Sequence, residues 1–545
     1  MLENAAAHLS PMIFPRLLTA QFSQLCTARV SVLSLYFGIS VSSFAAQEIS
    51  SFYIREYRIE GARRLKNLEI EEAVYPFLGP ARTADDVEQA RTAVEKVYHD
   101  KGFETLSVSI PSQDPRLGVI RLAVIEGKVG RLRVNGARFF LPSKIKSEIP
   151  SLAEGNVPNM NRVKQEIIGL NRLADRKVTP VLRQGIEPGT VDIDLNVEDK
   201  SPLHGSLELN NRYSSNTTSL RLNGAISESN LFQKGHSGGL SFQLAPENTD
   251  DALVFSGYYL ARVSNGMSLM VQATKQNSNV STLGGGAVGG RGEIVGLRSL
   301  FELPINTKFY QNFSLGIDYK NFAEDIVIGK NTISSPVEYY PISANYGANW
   351  IEKNGFTEFN TSLNFGLRGM GSDTIDYANK RYNADASFVY IRSDLAHTHD
   401  LTSGLQAVGK IQGQLSSQAL LNSEQISGGG LDTVRGYLEA TVMGDNGIFG
   451  TLELRSPSLI GKASPEDNKS DQWRFYAFAD AGMVGIYDPL PSQQRRFSLA
   501  SVGAGTRFKV LNHYNGALDV AVPLVDQADT NPGEVRLNFR GWSEF

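Results

Sequence analysis

From Leu203 onward the chain alternates. Leu203, Gly205, Leu207, Leu209 and Tyr213 fall on one face of an extended segment, and His204, Ser206, Glu208, Asn210 and Arg212 on the other. The same period of two sets Leu220, Leu222 and Gly224 against Arg221 and Asn223, and Leu452 and Leu454 against Glu453 and Arg455. It also sets Leu518, Val520 and Val522 against Ala517, Asp519 and Ala521. One apolar and one polar face, repeated over segments of ~10 residues, predicts membrane strands with lipid outside and water inside, although a soluble β-sandwich alternates similarly. About 16 such strands fit between 203 and 545, and antiparallel closure into a barrel leaves no sheet edge for the bilayer to satisfy. The last segment, Val535 to Phe539, alternates in a register that brings the terminal Phe545 in phase with the outward face. Trp350, Trp473 and Trp542 fall near predicted strand ends, where aromatic girdles sit.

Residues 53–199 have a different texture. Thr83-Ala84-Asp85-Asp86 reads as a helix start, with a threonine cap and acids in the first turn. Val87, Ala90, Val94 and Val97 then recur at helical spacing until Gly102, and strands are expected at Thr105–Ile110 and Val119–Ile125. The pattern occurs twice. Tyr57-Arg58-Ile59-Glu60-Gly61-Ala62-Arg63 resembles Leu132-Arg133-Val134-Asn135-Gly136-Ala137-Arg138, and a second helix is expected with Val163, Ile167, Leu170 and Ala174 on one face. The sequence therefore predicts two tandem α+β domains, 53–127 and 128–199, each β-α-α-β-β, followed by a barrel over 200–545.

Arg16 and Arg29 precede a short apolar run, Val30 to Ile39, and small residues end at Ala45-Ala46. That is the layout of a secretory signal peptide over 1–45, cleaved after Ala45 or alternatively Ala46, with Met12 as a second candidate start. The run is shorter than the ~20 residues of a spanning helix. Cys26, the only cysteine, leaves with the leader, so neither a disulfide framework nor a cysteine metal site is expected. A net charge of −4 argues against a generally nucleic-acid-binding chain.

Two short motifs give the pattern a meaning. Val434-Arg435-Gly436-Tyr437 lies between predicted strands 11 and 12, within a glycine-rich connection near 427–446, and Phe478-Ala479-Asp480-Ala481-Gly482 lies on strand 13. By the period of two, Phe478, Asp480 and Gly482 share one face, and a carboxylate facing lipid would be costly, so Asp480 is expected in the lumen. Tandem β-α-α-β-β units before such a barrel resemble the polypeptide-transport-associated (POTRA) domains of the BamA-like superfamily. The two motifs resemble that superfamily's V-R-G-Y/F loop signature and F-x-D-x-G strand signature. Two POTRA units and this length are most similar to the two-partner secretion (type Vb) outer-membrane transporters, the ShlB/FhaC/HecB haemolysin-activator family. The resemblance implies that the loop folds back into the lumen, where Arg435 contacts Asp480, and that Phe545 is an assembly signal read during barrel biogenesis.

It further implies an outer-membrane translocator with periplasmic POTRA domains. The unfolded partner exoprotein, adhesin-like or haemolysin-like, would be recognised there and secreted through the barrel without ATP. The implied surroundings are outer-membrane lipid and, during biogenesis, the barrel assembly machinery; the protein is expected as a monomer with no nucleic-acid partner. The alternative within the superfamily is an insertase serving several barrel clients, and a diffusion porin would lack both the repeats and the loop motif. Some family members carry an N-terminal plug helix; Ala46–Phe52 is too short for helix and linker, so none is expected here. No catalytic residue, cofactor or metal site is expected. His397-Thr398-His399-Asp400 reads as a polar turn between strands 10 and 11 rather than a metal site, and Gly284-Gly285-Gly286 as a flexible loop without the Gly-Lys-Ser/Thr of a phosphate loop.

Overall fold

The structure, a computed structural model, describes residues 51–264, 266–278, 280–281, 288–289, 291–303, 308–328, 331–460, 471–527 and 529–545. They fall into two compact units, one ending at Ser201 and one running from Pro202 to Phe545. The expected leader with Cys26, most of the segment considered for a plug helix, and Gly284–Gly286 lie outside the described residues.

The first unit holds the repeat. Its first copy runs β1 (Glu56–Glu60), α1 (Asn67–Val74), α2 (Ala84–Asp100), β2 (Leu106–Ser109) and β3 (Val119–Glu126). The second runs β4 (Lys128–Asn135), α3 (Pro142–Ser147), α4 (Met160–Leu170), β5 (Arg176–Gln184) and β6 (Thr190–Asp199). In each copy the last strand lies in the middle, parallel to the first and antiparallel to the other. The matched glycines explain the repeated sequence. Gly61 and Gly136 leave their strands with φ of +84° and +86°, and a Cβ at either would meet the carbonyl oxygen of Val124 or Val197 at 2.4 and 2.5 Å. Both requirements exclude a side chain.

Helix α2 starts as its sequence indicates. Thr83 Oγ1 accepts from the Asp86 N–H and the Asp86 carboxylate accepts from the Thr83 N–H at 2.8 Å, a reciprocal cap. Val87, Ala90, Val94 and Tyr98 are the buried face. Thr83→Ala removes this cap and should destabilise the first copy by ~1 kcal/mol, read as a lower midpoint of urea unfolding. Helix α4 is shorter than its periodicity implied. It ends at Leu170, so Ala174 lies beyond it and is exposed, and Leu173 packs on the core instead.

The second unit is a closed antiparallel barrel. Its strands are β7 (Leu203–Asn210), β8 (Arg221–Leu231), β9 (His236–Leu244), β10 (Ala252–Ser264), β11 (Met267–Ser278), β12 (Gly292–Glu302), β13 (Phe309–Ile328) and β14 (Asn331–Tyr339 continuing as Ile342–Glu352). They continue with β15 (Gly355–Phe365), β16 (Val389–Asp400), β17 (Gln406–Ser416), β18 (Asn446–Arg455), β19 (Gln472–Gly485), β20 (Arg496–Val510), β21 (Tyr514–Pro523) and β22 (Arg536–Glu544). Both halves of β14 pair with the long β13, and the break falls at Pro341, whose nitrogen has no proton for the ladder. Counting β14 once gives 16 strands.

Alternation sets the two faces. Leu207, Leu240, Phe255, Val271, Leu297, Ile411, Leu452, Val502 and Leu537 are exposed outward, while Gln243, Arg298, Asp318, Gln414, Glu453, Asp480 and Asp519 are buried inside. The barrel closes between β22 and β7, from Arg540 opposite Asn210 to Glu544 opposite Ser206. Phe545 continues this ladder through two backbone bonds with Gly205, and its ring covers that glycine. Three expectations need correction. Tyr213 lies past the end of β7 rather than on its face. His397 to Asp400 are the last residues of β16, with His397 bonded to Thr357, and the turn follows them. Trp350 and Trp473 are partly exposed near strand ends, but Trp542 is in phase with buried Asn538 and lies under the Arg540 guanidinium, so it faces the lumen.

Candidate functional site: a loop pinned inside the barrel

The connection between β17 and β18 runs from 417 to 445 and turns into the barrel instead of away from it. A short hairpin, Ile426–Gly428 against Val442–Gly444, forms its stem. At its tip Gly429, Gly430 and Gly436 all have positive φ, which lets the chain reverse in a confined space. Val434 and Tyr437 are buried with Phe449, Val484 and Leu499 of the wall. The Tyr437 hydroxyl sits 3.1 Å from the Ala500 carbonyl and 2.7 Å from that of Val525, and accepts from the Val525 N–H at 3.2 Å.

Arg435 is the centre. Its Nε donates to Asp480 Oδ2 at 2.7 Å and its Nη2 to Asp480 Oδ1 at 2.9 Å, a forked pair, and its backbone N–H reaches the same carboxylate at 3.1 Å. Nη1 donates to Glu453 at 3.0 Å and lies 3.7 Å from Asp519. The guanidinium lies 3.4 Å from the centroid of the Phe478 ring. Each residue of the strand motif therefore has a physical part. Phe478 is the platform, Asp480 the forked acceptor, and Gly482 leaves room for Phe449, whose ring a Cβ would meet at 2.1 Å. Lysine could supply the charge but neither the fork nor the stacked plane.

Charge is balanced locally. Arg435, Arg455 and Arg507 face Glu453, Asp480 and Asp519, with Arg455 bonded to Glu453 at 2.6 Å and Arg507 at 3.7 Å from it. Asp519 accepts from Tyr476 at 2.6 Å. The sequence did not single out Glu453, Asp519 or Tyr476. Their place on the polar face was readable, but not which polar residues the loop would reach.

The loop has further fixings. Arg212, just past β7, bonds Asp432 at 2.5 Å and Glu439 at 2.8 Å. Arg381, after the short helix α5 (Thr374–Lys380), forks Asp445. Glu424 receives Lys320 and the hydroxyls of Tyr339 and Tyr390. Burial pushes the Glu424 carboxyl up, but Lys320 and the two hydroxyls outweigh it and hold it below its ordinary value, so it stays an anion. Among the described residues no cluster could hold a metal ion.

Comparison with known proteins places this architecture. Residues 320–508 match the haemolysin secretion/activation protein family ShlB/FhaC/HecB, and residues 52–127 match the ShlB-type POTRA domain. The chain thus carries a ShlB/FhaC/HecB-type domain in its barrel and a ShlB-type POTRA domain ahead of it. The matched family is one of transporters rather than enzymes, and the chain is a two-partner secretion transporter of the outer membrane, with its POTRA domain in the periplasm. Similar proteins include the outer membrane transporter CdiB of Dickeya dadantii, 24% identical, with 74% of this chain and 72% of that protein covered. The heme/hemopexin transporter protein HuxB of Haemophilus influenzae is 20% identical, with 84% of this chain and 80% of that protein covered. The fold is that of CdiB from Escherichia coli, with a TM-score of 0.64, 20% identity and 93% of each chain covered. BamA from Haemophilus ducreyi lacking POTRA domains 1–3 superposes with a TM-score of 0.54 and 15% identity, covering 91% of this chain and 100% of that one. In such a transporter β7 starts and β22 ends at the periplasmic side, so the pinned loop enters from the cell surface.

Proposed function

We propose that this transporter takes up an unfolded partner exoprotein in the periplasm through its two POTRA units and passes it through the barrel lumen without ATP. The observation that carries the reading is the loop held inside the lumen by the Arg435–Asp480 fork, a device that a simple diffusion channel does not need. The POTRA sheets offer edge strands, β1 and β2 in the first copy and β4 and β5 in the second, to which an extended segment can add by backbone hydrogen bonds. Such bonding tolerates varied sequence, while neighbouring side chains select the partner. Arg435 fixes the loop in the position that conduction needs, and folding of the exoprotein outside draws the chain forward. The sequence holds no nucleotide-hydrolysis motif to supply that drive otherwise. The terminal Phe545, seated on the closing strand pair, serves as the signal for the assembly machinery that inserts the barrel as a monomer into lipid.

Quantitative proteomics of culture supernatant and cell surface tests this in a deletion strain carrying wild type, Arg435→Ala or no copy. Loss of one large exoprotein, restored by wild type alone, is the expected result. Depletion of many outer-membrane barrels without a missing exoprotein would overturn it in favour of an insertase.

A further inference from the structure

The lumenal loop is held from two sides of the barrel's closing join. Arg435 and Tyr437 fasten it to β18, β19, the first part of β20 and Val525 just past β21. Arg381 on Asp445 and the partners of Glu424 hold the base of the loop, and a second fastening near its tip comes from the residues just past β7. Asn210 ends that strand by accepting the Arg212 N–H at 2.9 Å, which keeps Arg212 over the lumen. There the guanidinium is nearly buried and divides its donors between two loop carboxylates, Asp432 before the motif and Glu439 after it. The Glu439 N–H adds a backbone bond to the Tyr213 carbonyl at 3.0 Å. The strands between these two fastenings include the β22–β7 join, whose ladder has five register pairs against eight for each flanking ladder.

We propose that Arg212 is a second, independent lock on the lumenal loop: a positioning residue that retains the loop in the barrel when Arg435 is lost and straps it across the closing join. A single guanidinium bonded to both flanks of a turn resists withdrawal of either flank, because two charge-assisted pairs must break together. Lysine cannot divide itself in this way. The sequence disguised the residue, since an arginine in phase with a polar strand face reads as one more lumen-lining charge. The inference rests on the loop reading above but concerns retention rather than transport.

The test uses intact cells and the full chain in a Cys26→Ser background. Leu438→Cys, on the buried flank of the loop, is the reporter for a membrane-impermeant maleimide added outside. Labelling within about 2-fold of the reporter alone is expected for Arg212→Gln and for Arg435→Ala, and labelling at least ~10-fold faster for the two combined. Arg212→Lys with Arg435→Ala should fall between. Arg435→Ala labelling as fast as the double variant would overturn the proposal, as would a double variant that labels no faster than the reporter. Heat-modifiable gel mobility checks that each barrel is folded. Asp432→Asn with Glu439→Gln removes the same lock from the loop side and should reproduce the Arg212→Gln result with β7 untouched. Secretion is scored in the same strains, so failure of the transport reading leaves the labelling result interpretable.

Discussion

Arg435→Ala should cut exoprotein secretion to less than about a tenth of wild type while the barrel still inserts and shows normal heat-modifiable mobility. The substitution strands Glu453, Asp480 and Asp519 around an empty position, with only Arg455 and Arg507 left against them. Removing one partner of a buried pair costs roughly 3–5 kcal/mol, and loss of the stacking on Phe478 adds to it. That cost falls on the loop tip, because the strand ladders do not involve Arg435, and so insertion survives. Arg435→Lys should recover little, as a single ammonium cannot reproduce the fork to Asp480, the Glu453 bond and the planar contact together. Asp480→Asn should act in the same direction but less strongly, since it keeps an acceptor and removes a charge. Secretion per folded barrel, measured by immunoblot of supernatant and membrane fractions, decides the matter. Normal secretion by an inserted Arg435→Ala variant would refute the transport role of the fork.

How much of this was readable in advance follows from what each pattern encodes. Period-two alternation specifies the face of a residue, and that was enough to place Leu452 outside and Asp480 inside. It does not specify which inward residues meet. Glu453 and Asp519 come to Arg435 because β18, β19, β20 and β21 are neighbours and the loop tip enters at their level, a three-dimensional coincidence with no short-range signature. The Arg435–Asp480 contact came from the family resemblance rather than from spacing. Trp542 was misread although its face was legible: Leu537 fixes the odd positions of β22 as outward, so an even-numbered tryptophan beside Arg540 points in. Ala174 was misassigned because helical periodicity continued past the point where Asn171 ends α4, whose side chain bonds the Val178 backbone instead. Arg212 was seen but not understood, since its partners are distant in sequence.

Leu452→Arg should destabilise the inserted barrel by ~2–4 kcal/mol and lower the fraction of folded, heat-modifiable protein. Leu452 lies in the middle of an outward row on β18, between Ile448 and Leu454, and is 70% exposed to what surrounds the barrel. In water such a residue could become arginine at nearly no cost, because surface substitutions usually stay within ±0.5 kcal/mol. In lipid the guanidinium must shed water or drag it in, and the long side chain must reach from mid-strand to the interface. Its cross-strand neighbours, Gly409 and Ala479, offer nothing polar to receive it. The measurement is urea-induced unfolding of the protein in vesicles, followed by loss of heat-modifiable mobility. Leu537→Arg on β22 serves as a second outward site, and an unchanged urea midpoint for both would mean that these faces do not contact lipid.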